Sequence, residues 1–136
     1  DVLVTPIQVV QMMNIIAMNG QSRAPYFFKS DSSKILNVKL KESTWNYIHS
    51  TLWNVVNHKD GTGQAASILD ADVFGKTGTA QNPHGDDHSW FAGYMAKGAD
   101  PVLSLVVLVE HGGKGSVQAA IISNKIFQYF SENSSI

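Results

Sequence analysis

From Thr5 to Gly20 the apolar residues Ile7, Val9, Val10, Met12, Met13, Ile15, Ile16 and Met18 leave almost no polar helical face. Thr5 suits an N-cap, Pro6 the first helical position, and Gln8 completes a capping box. Gly20 supplies the stop. A helix apolar all round is expected to be buried, with its methionines as core filler. Residues 21–40 read as irregular. Pro25 and Ser30-Asp31-Ser32-Ser33 mark loop there, and 34–40 allows a short extended piece. A second helix is predicted over 42–57, with Trp45, Ile48, Leu52, Val55 and Val56 at helical spacing. Trp45 and Trp53, eight residues apart, share one of its faces and are expected to pack together. Asp60-Gly61-Thr62-Gly63 ends it, and a short helical turn near 64–67 follows.

The period then changes. Strands are predicted over 73–81, 89–96 and 102–110. Residues 82–87 are polar and long enough for a mobile loop. Lys97-Gly98-Ala99-Asp100-Pro101 joins the second and third strands as a tight antiparallel hairpin. The run from Val102 to Val109 barely alternates, as in a strand covered on both faces. Gly112, Gly113 and Gly115 make a turn. A last helix over 116–130 turns Val117, Ala120, Ile121, Ile126, Phe127 and Phe130 inward. Helices and three consecutive strands in this order predict an α+β fold with an antiparallel sheet flanked by helices.

The 136 residues suit one domain or a piece of a larger one. The abrupt start, Asp1-Val2-Leu3-Val4 running straight into a helix signal, reads as a cut inside a longer protein. At 43% hydrophobic and 15% charged the chain is globular. A net charge of −1 gives no reason to expect nucleic acid as partner. Without cysteine there is neither disulfide nor thiolate chemistry. No apolar run approaches the ~18 residues of a membrane span.

The candidate chemistry lies in Lys76-Thr77-Gly78-Thr79-Ala80-Gln81. On a strand, alternation sends Lys76, Gly78 and Ala80 to one face and Thr77, Thr79 and Gln81 to the other. Gly78 lets a substrate backbone come close, Lys76 supplies charge, and the threonines can donate to a carboxylate. A bare Lys-Thr-Gly triplet is also what an edge strand of no function can hold.

Several stretches together raise it above that. Leu3-Val4-Thr5-Pro6-Ile7-Gln8, closing at Asn19-Gly20, resembles the L-x-V-T-P-x-Q helix of class B penicillin-binding proteins. Asp60-Gly61-Thr62-Gly63-Gln64-Ala65-Ala66 resembles the turn before their KTG strand, and Lys76 to Gln81 is the KTGTAQ form of that box. His88-Ser89-Trp90-Phe91-Ala92-Gly93-Tyr94 resembles the following W-F-x-G strand. Glu110-His111-Gly112-Gly113-Lys114-Gly115 resembles the glycine-rich turn after the last strand, in its elongation-type form. The resemblance implies the C-terminal portion, residues 1–136, of one transpeptidase domain whose family fold is a five-stranded antiparallel sheet with helices on both faces. The preceding part, with SxxK and SxN, is absent. No Ser has Lys three positions on, and Ser131-Glu132-Asn133 fits SxN only in the wrong chain order.

By this resemblance the parent protein cross-links D-Ala-D-Ala stem peptides of peptidoglycan through a serine acyl-enzyme, binds β-lactams and uses no cofactor. It works outside the bacterial cytoplasmic membrane beside elongation-machinery proteins, with no anchor in this chain. The family's roles fall on Lys76 and Thr79 as catalytic residues, and on Thr77, Gly78, Thr79 and Gln81 as substrate-binding residues. Lys76 sets the field near the SxN serine, Thr77 and Thr79 hold the terminal carboxylate, and the Thr79 N–H is one oxyanion donor. Alone, the chain lacks the nucleophile. Alternatives are a serine β-lactamase or D,D-carboxypeptidase portion, a non-catalytic β-lactam sensor, and an unrelated α+β binding module.

Other residues carry less. His84, Asp86, Asp87 and His88 have metal-ligand chemistry but read as a solvated loop. Trp90 and Phe91 divide into one core and one cleft-rim residue. His49, His58 and His111 read as surface or capping residues. The third strand is expected to expose an edge that the missing N-terminal part pairs with in the family sheet, so the chain alone is expected either to associate edge to edge or to be found with a complementary fragment of the same protein.

Overall fold

A computed structural model describes residues 3–26, 34–114 and 117–134. In chain order these form α1 (Pro6–Ala17), β1 (Gln21–Arg23), β2 (Ile35–Asn37), α2 (Glu42–Asn57), a 3₁₀ turn (Gln64–Ala66), β3 (Asp72–Ala80), β4 (His88–Lys97), β5 (Asp100–Val109) and α3 (Gln118–Asn133). The expected α+β class is found. The Ser30–Ser33 cluster, Gly115 and the first two residues lie outside the described residues.

The capping box forms as the sequence predicts. Thr5 Oγ1 accepts from the Gln8 N–H, and Gln8 Oε1 accepts from the Thr5 N–H at 2.8 Å. At the other end Asn19 and Gly20 take positive φ angles of 50° and 98°. A Cβ on Gly20 would lie 2.0 Å from the Val38 carbonyl oxygen, so glycine alone fits this crossing. There the chain enters β1, which pairs antiparallel with β2. This small ribbon occupies a stretch whose pattern read as irregular.

β3, β4 and β5 form one antiparallel sheet in that order. Phe74 lies opposite Tyr94, Lys76 opposite Ala92 and Gly78 opposite Trp90, while Val73 lies opposite Met95 and Thr77 opposite Phe91. These two sets face opposite ways. On one side Val73, Phe91, Met95 and Leu105 pack with Ala119, Ala120 and Phe127 of α3 and with Val56 of α2. On the other, Tyr94 packs with Met13 and Ala17 of α1, beside Leu52 of α2, Phe74 and Ala92. Phe74 and Tyr94 stack with ring centroids 4.6 Å apart. Phe91 is a core residue and Trp90 is half-buried, as expected.

Three expectations fail. Of the residues expected to turn inward from the last helix, Val117, Ile121 and Ile126 are 45%, 41% and 42% exposed. Helix α1 buries only Met13 and Ala17, and Ile7 and Met12 remain 45% and 50% exposed. The sheet covers one flank of the helix; its all-round apolar pattern asks for a second cover that the described residues do not supply. Trp45 and Trp53 do not serve one another. Two helical turns, about 12 Å, separate them. Trp45 is buried beside Gly20, whereas Trp53 Nε1 donates to Asp72 Oδ1 at 2.8 Å.

Helix α3 has no side-chain cap of its own. Ser89, fully buried on β4, takes that role: its Oγ accepts from the Ala119 N–H at 3.1 Å and donates to the Lys114 carbonyl at 3.1 Å. It satisfies one of the orphan donors of a helix start from across the sheet. We expect Ser89→Ala to lower stability by about 1–3 kcal/mol, because a buried N–H loses its acceptor. Chemical denaturation measures this, and a change under ~0.5 kcal/mol would show the cap to be dispensable.

His49 links three elements. Its Nε2 lies 2.8 Å from Asn19 Oδ1 and its Nδ1 2.5 Å from the Tyr94 hydroxyl. Since Oδ1 only accepts, Nε2 carries the proton and Nδ1 accepts from Tyr94. Burial pulls the imidazole below its usual value of 6.5 and pushes the Tyr94 phenol up. Both shifts preserve the neutral pair. The folded chain therefore resists protonating His49, while the unfolded chain accepts the proton near 6.5. This stabilisation is complete above that pH and is lost as pH falls towards the lower folded value. The expected outcome is a fall in unfolding free energy on acidification through this range, shallower in His49→Gln. Parallel pH profiles for the two proteins would contradict it.

Candidate functional site

Strand β3 has β4 on one side and, among the described residues, no strand on the other. Its Lys76–Ala80 segment borders an open groove of about 640 Å³. Met12, Met13 and Ile16 of α1, Ile48 and Leu52 of α2, and Trp90 of β4 form the facing wall and floor. That lining is apolar, and Lys76 is the one charged side chain among the described residues that line it. Near low-dielectric walls a single cation attracts an anion more strongly than it would in open water.

The register fixes where each expected residue goes. Lys76 and Gly78 share the Phe74 face, towards α1. Lys76 is exposed and its Nζ donates to the Thr77 carbonyl at 2.8 Å. Thr77 and Thr79 belong to the opposite face, yet both reach the groove because the strand is at the edge. Gly78 leaves its stretch of backbone bare, with only Trp90 Cβ within 3.3 Å of where a side chain would start. So Lys76, Thr77, Gly78 and Thr79 are brought together. Gln81 is not among them: it follows the end of β3 and does not line the groove.

Thr77 has a partner that the sequence reading gave no role. Its Oγ1 lies 3.0 Å from Thr62 Oγ1, on the turn after α2. The available signal was the threonine held between Gly61 and Gly63, but nothing local places that turn beside residue 77.

The 81–87 loop is tied rather than loose. His111, with φ of 53°, places Nδ1 3.2 Å from both the Asp86 carbonyl and Asn82 Nδ2. Its own N–H donates to His88 Nδ1 at 3.0 Å, and the Gly113 N–H donates to the Asp87 carbonyl at 2.8 Å. His111 thus pins the loop to the turn after β5. His49, likewise read as a surface or capping residue, is the half-buried link described above. Among the described residues no group of three or more His, Asp or Glu side chains is placed to hold a metal ion. Ser131-Glu132-Asn133 forms the last turn of α3, which runs past the expected end at 130.

Known proteins share this arrangement. The chain is 31% identical to the peptidoglycan D,D-transpeptidase MrdA of Haemophilus influenzae, a match covering 93% of this chain and 23% of that protein. The crystal structure of Pseudomonas aeruginosa PBP2 in complex with WCK 5153 superposes with a TM-score of 0.77 at 27% identity, over 93% of this chain and 29% of that one. The PBP2 chain of the Helicobacter pylori complex between PBP2 and MreC gives 0.74 at 26% identity, over 93% and 25%. The chain thus spans about a quarter of the length of these relatives. The description "Penicillin binding protein transpeptidase domain" fits residues 2–128, almost the whole chain. The chain belongs to the penicillin-binding protein transpeptidase domain family.

Proposed function

We propose that this chain is the C-terminal portion of a transpeptidase domain and forms the carboxylate-binding and oxyanion wall of a peptidoglycan D,D-transpeptidase. One observation carries the reading: an edge strand holding Lys76, Thr77, Gly78 and Thr79 borders a groove with no other charged lining among the described residues. An extended peptide can lie along such an edge, and its terminal carboxylate meets a cation and two hydroxyls.

The roles follow from the chemistry. Acyl transfer needs a nucleophile, a base and an oxyanion site. A serine from a preceding SxxK segment attacks the carbonyl of the penultimate D-alanine, and the terminal D-alanine leaves with a proton. The amine of a second stem peptide then displaces the serine. Lys76 places its positive charge beside the proton relay, Thr77 and Thr79 hold the carboxylate, and the Thr79 N–H stabilises the developing oxyanion. Gly78 lets the substrate backbone approach. Gln81 closes the far end of the strand. A β-lactam carries the same carboxylate and traps the acyl-enzyme.

The exposed flank of α1 supports a further part of the reading. The preceding portion of the same domain covers Ile7 and Met12, pairs with the outer edge of β5, and brings the nucleophile to the groove. In this reading that preceding portion also anchors the protein outside the cytoplasmic membrane; no helix among the described residues is long and apolar enough to cross a membrane. The complex of the Helicobacter pylori relative with MreC supports an elongation-machinery partner.

The full-length protein is expected to form a covalent adduct with a labelled penicillin and to cross-link stem peptides. Residues 1–136 alone are expected to form no adduct. Lys76→Ala in the full-length protein should slow acylation by roughly 10²–10³-fold, the scale of a lost acid–base or electrostatic group. Its melting temperature should stay nearly unchanged, because the side chain is exposed. Rapid release of hydrolysed penicillin would favour a β-lactamase, and acylation without transfer to an amine would favour a sensor. Wild-type acylation by Lys76→Ala would remove Lys76 from the site.

A further inference from the structure

We propose that Thr62 is a positioning residue for the carboxylate end of the groove: its hydroxyl donates to Thr77 and so turns the single Thr77 hydroxyl hydrogen towards an anionic ligand. This rests on the transpeptidase reading above and adds a residue to it. The two hydroxyl oxygens lie 3.0 Å apart, and either can be the donor. A hydroxyl has one hydrogen and two lone pairs. If Thr77 donates to Thr62, only lone pairs remain for the ligand, and a carboxylate is repelled. If Thr62 donates, the Thr77 hydrogen is free, and its oxygen, already accepting, becomes a stronger donor. A bound anion therefore selects one of two directions. A neutral ester makes no such selection, since it exerts far less pull on the hydrogen.

The separation is held by backbone on both sides. Gly63 N–H donates to the Val55 carbonyl and Gly61 N–H to the His58 carbonyl, each at 2.8 Å, clamping the turn onto the end of α2. A Cβ on Gly61 would stand 2.3 Å from the Val55 oxygen, so the turn sits directly against that helix. Helix α2 is in turn bound to β3, because Asn57 Nδ2 donates to the Val73 carbonyl at 2.8 Å. Thr62 is exposed and Thr77 half-buried, so the pair lies where a ligand can reach it.

The test is acylation of the full-length protein by benzylpenicillin and by its methyl ester, with the binding constant separated from the acylation rate constant. Thr62→Val is expected to weaken benzylpenicillin binding about three- to tenfold, the range of one hydrogen bond, with the acylation rate constant kept within about twofold. Thr62→Ser should restore binding, and the ester should not distinguish the variants. Thr62→Ala against Thr62→Ser reads the same contrast independently of how valine fits the turn. Equal or tighter benzylpenicillin binding in the valine and alanine variants, an equal loss with the ester, or a loss confined to the rate constant would overturn the relay. Acylation of wild type with no effect of Thr62 removes the relay alone. Absence of acylation in wild type removes the transpeptidase reading and the relay with it.

Discussion

One ring holds the sheet in register. The Phe91 side chain lies over Gly75 and Gly93, which face each other across β3 and β4. A Cβ on Gly75 would stand 2.3 Å from Phe91 Cζ, and one on Gly93 2.8 Å from Phe91 Cε1. Two side-chain-free positions and one large ring fit in a single alignment of the strands. A slip of β4 by one residue would carry Phe91 to the α1 side and Tyr94 to the α3 side, and a slip of β3 would turn Lys76 away from the groove. The geometry of the site is thus inherited from the packing of a residue that does not touch it.

The same economy appears at the edges. In the proposed role β3 keeps one side open for an extended peptide, and its other attachments hold it in place. Asn57 and Trp53 of α2 reach Val73 and Asp72 at its start, and Thr62 reaches Thr77 at its middle. His111 secures the loop that leaves its end. The strand is therefore held at both ends while its outer edge stays accessible. Preorganised donors lose little free energy in reorganising when charge develops, and the oxyanion wall proposed above would need such rigidity.

Legibility followed the range of the interaction. Helix α2 was read at its observed bounds, Glu42–Asn57, because helical periodicity and a glycine stop are local signals. The hairpin of β4 and β5 was equally clear, and Gly98 takes the positive φ of 61° that its tight turn needs. The extended piece allowed over 34–40 is found as β2, but β1 and its pairing with β2 were missed because a three-residue strand is too short to show a period. Helix α1 was read as buried from its all-round apolar pattern, and that failed: the described residues cover one flank only and leave Ile7 and Met12 exposed. His49, Ser89 and Thr62 were passed over because their partners, Tyr94, Ala119 and Thr77, lie 45, 30 and 15 residues away.

By itself the sequence determined that residues 73–81 would be extended, found as β3 over Asp72–Ala80, which of them would share a face, and that a lysine, two threonines and a glycine would stand together on that strand. Those properties follow from backbone alternation and side-chain type, and need no distant partner. Tertiary structure alone decided that β3 would be an edge, that α1 and α2 would hold an apolar groove open beside it, and that Gln81 would fall outside. It also decided that Thr62 would meet Thr77. Each of these depends on where elements far apart in the chain come to rest, and that is settled by the burial of Phe91 and Tyr94 on opposite faces of one sheet.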